Sequence, residues 1–286
     1  MALLGPKADE YRTYAYRTFK SEFSNLNRLH WFFSYASRRV ETEINSVSET
    51  IASTRFIGDI LPANNFASKS LGITPAKFAL EVDEHIEHLR LVLLVKACAA
   101  AEDFIHKYCQ YWAISAGYVG HKQNKVNKIG NAIIAPAMIS NIAKSTTYIE
   151  ELTSASLGPK KGTLGPAYDL RCAAAHNGGI IDHEILKKVQ FSGIDIGDRI
   201  KLGWHEFHRY IDAIFDVCSR IELIINPTTR HKVEVNWLLQ DIFDRDPSLD
   251  ATSARKILID NYGYGSSPSS APSKRKIAAI FNKPYS

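Results

Sequence analysis

The amino-acid sequence predicts an all-α protein, because long segments repeat apolar residues at helical spacing and alternating, strand-like segments are nearly absent. The chain has 286 residues, of which 45% are hydrophobic and 23% are charged. This balance excludes disorder of the whole chain and allows a sizeable core. At about 150 residues per domain, the length predicts two domains, or one large domain with an extension. The net charge of +5 permits anionic partners but does not require them.

Two long amphipathic segments carry the strongest helical patterns. Residues 11–51 repeat apolar residues mostly at helical spacing, with charged and small polar residues between them. The second segment starts at Thr74-Pro75, which supply an N-cap and a first-turn proline, and it ends at Gly117. Its middle is apolar nearly all round, so we expect this helix to be the central buried element.

Shorter elements are predicted between residues 118 and 225. The first three are a basic loop over 118–130, a helix over 131–152 and a loop over 158–162. They are followed by a short helix from Pro166 to Gly178-Gly179, a small β-hairpin and a helix over 204–225. In the hairpin, apolar residues alternate on both sides of Gly197-Asp198, at Ile194, Ile196, Ile200 and Leu202. Asn226-Pro227 ends the last of these helices.

The last part of the chain differs in composition and predicts an extension. We assign residues 1–230 to one helical domain and residues 231–286 to a C-terminal extension. Within the extension, we predict short helical segments over 236–243 and 253–262. A flexible linker over 263–273 and an unstructured basic tail at Lys274-Arg275-Lys276 are predicted to follow.

No stretch of the sequence is long and apolar enough to span a membrane, because Lys96 interrupts the most apolar run, Leu91 to Ala101. We therefore predict no membrane partner and a cytoplasmic location. The four cysteines are scattered without a Cys-x-x-Cys pair, which predicts reduced core cysteines rather than a disulfide framework or a zinc site.

Residues 168–182 form the one segment in which polar groups of catalytic type lie beside an apolar run. Arg171 can grip a phosphate through its planar guanidinium, His176 can take or give a proton, and Asn177 can orient a ligand through its amide. On a helix, Arg171 and His176 lie about 140° apart, so they do not share one face. Either the helix loosens at its Gly-Gly end, or two copies of the chain meet about a two-fold axis.

Such a set of residues suits RNA cleavage, because RNA brings its own nucleophile, the 2′-OH beside the scissile phosphate. The protein then has to position the RNA, stabilise charge and transfer protons. This chemistry requires no metal ion or other cofactor, and attack by the 2′-OH yields a 2′,3′-cyclic phosphate.

The motif Arg-x4-His, followed by Asn-Gly, comes after a long helix that contains Leu-Leu-Val-Lys-Ala-Cys-Ala-Ala-Ala-Glu-Asp-Phe. Over residues 76–225 this arrangement resembles the HEPN superfamily of small α-helical domains. The resemblance implies an HEPN-like helical bundle and a metal-independent endoribonuclease that works as a homodimer. It also implies a defence or toxin–antitoxin context, with an antitoxin or another regulatory protein as a partner. It places Arg171 and His176 at the motif positions and matches the family's acidic residue to Glu102, which would hold Arg171, with Asp103 as the second match.

One departure from the family pattern supports an alternative function. The residue after the motif arginine is Cys172, where family members often carry a polar residue. This favours a catalytically inactive HEPN-like module that binds RNA or nucleotide, or that pairs protein subunits. Glu102 also has a structural interpretation, because an acid in an apolar helix is usually a buried partner of an arginine.

Two basic segments flank the motif in sequence and are candidates for contacts with the RNA backbone. They contribute Lys122, Lys125, Lys128, Lys160 and Lys161. If they line a cleft, they give RNA affinity that weakens steeply with salt, and the alternative is an ordinary solvated surface.

Other chemistries have less support in the sequence. The pairs His85/His88 and His205/His208 lack the remaining ligands of a metal site at the expected spacing. The sequence contains no phosphate-binding loop, dinucleotide glycine fingerprint or Gly-x-Ser-x-Gly elbow. These observations argue against kinase, NTPase and serine-hydrolase functions.

Overall fold

The computed structural model of the protein describes residues 11–46, 74–115, 142–188, 195–265 and 271–285. This part of the chain is all-α, as predicted, and 80% of it is helical. Its nine α-helices are α1 (Tyr14–Asn45), α2 (Pro75–Ser115), α3 (Ile142–Thr153), α4 (Leu164–Asn177), α5 (His183–Lys188), α6 (Trp204–Leu223), α7 (Pro227–Arg245), α8 (Ala251–Tyr262) and α9 (Lys274–Phe281). A 3-10 helix, Pro159–Thr163, precedes α4.

Helix α1 confirms the first amphipathic segment over the residues that the structure describes. Thr13 caps its N-terminus, because the Thr13 Oγ1 accepts a hydrogen bond from the Tyr16 backbone N–H at 3.0 Å. Phe19, Phe23 and Leu26 lie on its buried face, at the spacing that predicted the helix.

Helix α2 confirms the long buried helix. The Lys77 backbone N–H donates to Thr74 Oγ1 at 3.3 Å, and Pro75 begins the helix, as its sequence predicts. Its middle has no exposed surface at Leu94, Ala97, Cys98 and Ala101. The predicted end at Gly117 lies outside the described residues.

Helix α3 lies within the helix predicted over 131–152, of which the structure describes the part from Ile142. The loop predicted over 158–162 was wrong from Pro159 onward, because Pro159–Thr163 form the 3-10 helix and Gly158 caps it. The cause is local. Gly158 has a φ of 82°, which glycine adopts without strain, and Pro159 follows it with the fixed φ that suits a first helical position.

Helix α4 ends at the Gly-Gly pair, as predicted. Gly178 and Gly179 have φ values of 60° and 80°, the left-handed conformation that commonly ends helices. The Gly179 backbone N–H donates to the Ala173 carbonyl at 3.2 Å. The helix begins at Leu164, so Pro166 lies in its first turn.

The predicted β-hairpin around Gly197-Asp198 was wrong within the described residues. The strand predicted before the turn does not pair with the one after it. Instead, the Ile200 N–H donates to the Gly179 carbonyl at 2.8 Å, and the Ile181 N–H donates to the Asp198 carbonyl at 2.9 Å. Only a single bridge, between Ile180 and Arg199, results. Three backbone hydrogen bonds therefore join this turn to the chain just after α4, and another closes the turn itself, from the Asp198 N–H to the Asp195 carbonyl at 3.2 Å. Ile194 lies outside the described residues.

Replacing Gly179 by alanine is expected to destabilise the protein by about 2–3 kcal/mol. A Cβ at this position would lie 2.8 Å from Leu91 Cδ2, and the backbone would keep its positive φ. Gly178→Ala is the matched control, because Gly178 also has a positive φ but has open space around it. It should cost only about 1 kcal/mol. Urea denaturation measures both, and equal losses would contradict the proposed role of the Leu91 contact.

Helix α6 confirms the predicted helix over 204–225, although α6 ends at Leu223. Asn226-Pro227, predicted as a stop, also starts the next helix. The Asn226 side chain accepts a hydrogen bond from the Thr229 N–H at 2.9 Å, and Pro227 is the first residue of α7. The short helical segment predicted over 236–243 is consequently the longer α7, and the predicted boundary after residue 230 falls inside this helix.

The unstructured tail predicted at Lys274-Arg275-Lys276 was also wrong, because these residues form the first turn of α9. Ser273 caps this helix, and Ile277 is fully buried in a core formed by α7, α8 and α9. Both described ends of the predicted linker over 263–273 are held by the same core. Tyr264 has no exposed surface, and its carbonyl accepts a hydrogen bond from the Ala271 N–H at 2.9 Å.

Two buried glutamates bind the N-terminus of α1. The Thr13 N–H donates to Glu222 at 2.7 Å, and the Tyr14 and Ala15 N–H groups donate to Glu234 at 2.7 and 3.2 Å. Both glutamates have no exposed surface. Their carboxylates satisfy N–H groups that a helix leaves unpaired at its N-terminus and complement the positive end of its dipole.

Arg230 compensates the buried charge of Glu222. Its Nη1 lies 3.2 Å from Glu222 Oε1, and neither side chain has exposed surface. Its Nη2 donates to the Tyr11 carbonyl at 3.0 Å. Burial raises the pKa of Glu222 to about 7, and the Arg230 charge opposes that rise. These groups form an enclosed polar core, which has no access for a substrate.

The chain forms two compact units, each assembled from separate segments. The first comprises Met1–Glu22, Ala99–Gly165 and Ala213–Ser286, and the second comprises Phe23–Cys98 and Pro166–Asp212, as far as the structure describes these ranges. None of the helices in the described ranges combines the length and the apolar run needed to cross a bilayer.

Candidate active site

Helix α4 carries both residues of the predicted catalytic pair, and it is helical through Asn177. His176 therefore lies within a regular helical turn, and the expected loosening at the Gly-Gly end, which would let His176 swing, stays a prediction. Five positions along a regular helix separate Arg171 and His176 by about 140° around the axis. One copy of α4 thus directs the two side chains to different faces of the helix.

Arg171 is half-buried, and an aromatic ring lies against its guanidinium. The Arg171 Cζ lies 5.3 Å from the centre of the Tyr168 ring, one helical turn earlier. This cation–π contact restricts the orientation of the guanidinium. A planar cation held in this way can bind phosphate oxygens with little loss of side-chain entropy.

His176 is exposed in the last turn of α4. Within the described part of the chain, it forms no hydrogen bond or ion pair that would occupy its ring nitrogens. An exposed imidazole in this state can reach a ligand and exchange protons with it. Asn177 is the last residue of the helix, and its orienting role stays a prediction.

Glu102 lies on α2 and is half-buried, next to the exposed Asp103. Asp103 pairs with Lys107 at 2.7 Å across one helical turn, so this acid has a partner on its own helix surface. Glu102 belongs to the first compact unit and Arg171 to the second. The predicted hold of Glu102 on Arg171 stays a prediction.

The five candidate RNA-binding lysines differ in what the structure describes of them. Lys122, Lys125 and Lys128 lie outside the described residues. Lys160 and Lys161 are half-buried in the 3-10 helix. Lys161 forms an ion pair with Glu150 and lies 3.3 Å from Thr147 Oγ1. The Lys161 ammonium also lowers the pKa of Glu150. Much of the Lys161 charge is therefore already compensated.

No family model matches this chain, and no similar curated protein or solved structure was found. The function must consequently be argued from the chain itself. In the described ranges, no group of three or more His, Cys, Asp or Glu side chains is arranged to hold a metal ion.

The sequence analysis did not single out a histidine–arginine contact in the same unit as most of α4. The Arg90 Nε donates to His30 Nε2 at 3.3 Å, and Arg90 Nη1 donates to the Leu202 carbonyl at 3.2 Å. Burial, and then the Arg90 charge, lower the pKa of His30. Its ring stacks on Trp204 and is only 2% exposed. A substrate cannot reach it, so we assign this pair to structure. Spacing could not reveal it, because sixty positions separate the two residues.

Proposed function

We propose that this protein is a metal-independent endoribonuclease of HEPN type that acts in the cytoplasm, in a defence or toxin–antitoxin context. The observation that carries the proposal is the state of the two motif residues. His176 is exposed with its ring nitrogens unoccupied by described residues, and Arg171 on the same helix is oriented by the Tyr168 ring. To cleave RNA by this chemistry, a protein has to supply a group that transfers protons and a cation that stabilises charge on the phosphate.

In the proposed reaction the 2′-OH of RNA attacks the adjacent phosphorus. A bond forms between O2′ and phosphorus, and the bond from phosphorus to the 5′ oxygen of the next nucleotide breaks. His176 of one copy accepts the proton from the 2′-OH, and a second imidazole or water protonates the leaving oxygen. Arg171 neutralises the charge that develops on the phosphate oxygens. The products are a 2′,3′-cyclic phosphate and a 5′-OH.

The proposed active form is a homodimer. The angle of about 140° between the two side chains prevents one α4 from presenting both to a single phosphate. Two copies related by a two-fold axis would contribute one Arg171/His176 set each to a shared cleft. In this arrangement, dilution below the dimer dissociation constant lowers the specific activity.

Incubation of the purified protein with a mixed RNA pool in EDTA tests the proposed function. We expect cleavage without added metal, with 2′,3′-cyclic phosphate and 5′-OH ends identified by end-specific ligation or mass spectrometry. Cleavage that requires a divalent ion, or that leaves 5′-phosphate ends, would contradict the proposal.

Cys172 favours a second candidate function, a catalytically inactive module of the same type that binds RNA or nucleotide or pairs subunits. Cys172 is half-buried beside Arg171 and offers at most a weak hydrogen bond to a phosphate. Intact RNA at protein concentrations well above the dimer dissociation constant, together with measurable RNA binding, would support this function over the nuclease.

A further inference from the structure

A basic cavity lies between α8 and the N-terminus of α9, within the first compact unit. Its volume is about 520 Å³. Beside Ile259, its lining comes from six residues with polar or charged ends, namely Thr252, Arg255, Lys256, Asp260, Ser273 and Lys274. Volumes of about 300–1,000 Å³ are typical of ligand sites, so this cavity has room for a nucleotide unit.

The lining of this cavity carries more positive than negative charge, although Asp250, which caps α8, lies close enough to Lys274 for their charges to interact. From residue 250 onward, the chain contains six Lys or Arg residues and two Asp residues. Three of the six cations line the cavity, and the acid that joins them, Asp260, forms no ion pair with a described residue. The cavity lining therefore carries a net positive charge, which attracts an anion.

One of the cations is fixed in place by the fold. The Arg255 Nε donates to the Pro272 carbonyl at 3.0 Å, directly before the residue that caps α9. Arg255 is half-buried and makes no other hydrogen bond or ion pair in the described ranges. Its remaining N–H groups are thus available to a ligand, in the planar arrangement that suits a phosphate.

The other groups of the cavity are also those that bind phosphate. Lys256 is exposed and has no ion-pair partner among the described residues. Lys274 is the first residue of α9, so it lies at the positive end of the helix dipole. Thr252 and Ser273 add hydroxyl groups. Sites for phosphate oxygens typically combine such groups: lysines, an oriented guanidinium, hydroxyls and a helix N-terminus.

We propose that this cavity binds the phosphate backbone of single-stranded RNA, as a contact with the substrate in addition to those proposed for α4. The inference rests on the proposed function for the identity of the ligand. A membrane surface fits less well, because the apolar residue Ile277 of α9 is fully buried against α7 and α8 and is not available to lipid. The solvent side of α9 carries the exposed Lys274, Arg275 and Lys276, and Ile280, at 50% exposure, is the large apolar residue that this side presents.

Fluorescence anisotropy with a labelled, 2′-O-methylated RNA oligonucleotide tests this inference on the full chain. The 2′-O-methyl groups remove the nucleophile, so binding is measured without cleavage. The double variant Lys256→Glu/Lys274→Glu should bind the oligonucleotide at least about tenfold more weakly than wild type. Its plot of log affinity against log salt should be less steep by about 1.4, or about 0.7 for each lost phosphate contact.

Arg275→Glu is the matched control, because Arg275 is adjacent in α9 and exposed but does not line the cavity. We expect it to weaken binding by less than about twofold. Wild-type affinity in the double variant, or an equal loss in the control, would overturn the inference. Binding of inorganic phosphate or a mononucleotide as tight as that of the oligonucleotide would also overturn it, because the site would then take a free phosphate.

The same variants separate this inference from the proposed function. If wild type cleaves RNA but the double variant binds RNA as tightly as wild type, the cavity proposal is contradicted and the nuclease proposal is not. If RNA binding depends on Lys256 and Lys274 but unmodified RNA is not cleaved, the cavity proposal is supported and the nuclease proposal is contradicted.

Discussion

Replacing His176 by alanine is expected to lower the rate of RNA cleavage by about 10²–10⁴-fold. His176 is the only side chain of this sequence to which we assign proton transfer, so its replacement in both copies removes that contribution to catalysis. Because His176 is exposed, its loss should change the free energy of unfolding by less than about 0.5 kcal/mol. Single-turnover cleavage of a labelled RNA in EDTA, with protein in excess, measures the chemical step without product release.

Two controls make this test specific. His183→Ala removes another exposed histidine, at the start of α5, and should leave the rate unchanged. The second control compares two arginine variants, because Arg171 and Arg209 each lie over a tyrosine ring. Arg171→Ala should lower the rate by about 10²–10³-fold, whereas Arg209→Ala, whose guanidinium lies 5.1 Å from the Tyr210 ring, should not. Equal rates for wild type and His176→Ala would show that the cleavage comes from another source.

Replacing Arg230 by methionine is expected to destabilise the protein by about 3–5 kcal/mol. The change keeps much of the side-chain volume but leaves the Glu222 carboxylate buried without its cation. Arg245→Met on the same helix is the matched control. The exposed Arg245 pairs with the half-buried Asp241 at 2.7 Å, and losing a pair with a solvated arginine costs about 1 kcal/mol. Urea denaturation followed by circular dichroism measures both losses.

The pH dependence of this loss distinguishes an uncompensated charge from a simple packing defect. The pKa of Glu222 is raised in the folded protein, so its stabilising contribution is present below its ordinary pKa and is lost as the pH rises through about 7. Without Arg230 the charged form becomes still more costly. The deficit of Arg230→Met should therefore be larger at about pH 8 than at about pH 5. A deficit independent of pH would indicate that lost packing, and not the carboxylate, causes the instability.

Helical spacing and helix-capping residues predicted the larger part of the fold. Helices α1, α2 and α6 follow apolar repeats, and Thr74-Pro75 and Gly178-Gly179 mark helix ends as they usually do. Short elements were missed for a physical reason. Helix α5 has only six residues, fewer than two turns, and thus cannot display a repeat. At Asn226-Pro227 the same two residues end one helix and start another, so the local signal did not reveal that α7 follows at once.

The candidate site could be predicted only in part. The sequence supplied the identity and spacing of Arg171 and His176, because these are properties of one helix. It did not reveal the Tyr168 contact, which depends on the rotamer of Arg171, or the ion pair between Lys161 and Glu150, which depends on the 3-10 helix. It also gave no sign of the cavity between α8 and α9, since the basic tail was expected to be unstructured. Tertiary packing around Ile277 decides that feature.

The glutamate bonds at the start of α1 set the order in which a nascent chain can finish folding. Tyr14 and the residue that receives its N–H are separated by 220 positions. At about 5–20 residues per second, the ribosome needs roughly 10–40 s to supply that acceptor. Throughout this interval no Glu234 carboxylate is present to accept the N–H groups of the first turn of α1. The aromatic residues that follow can therefore be bound by chaperones. Completion of the N-terminal helix is thus a late event in the synthesis of this protein, although its sequence is translated first.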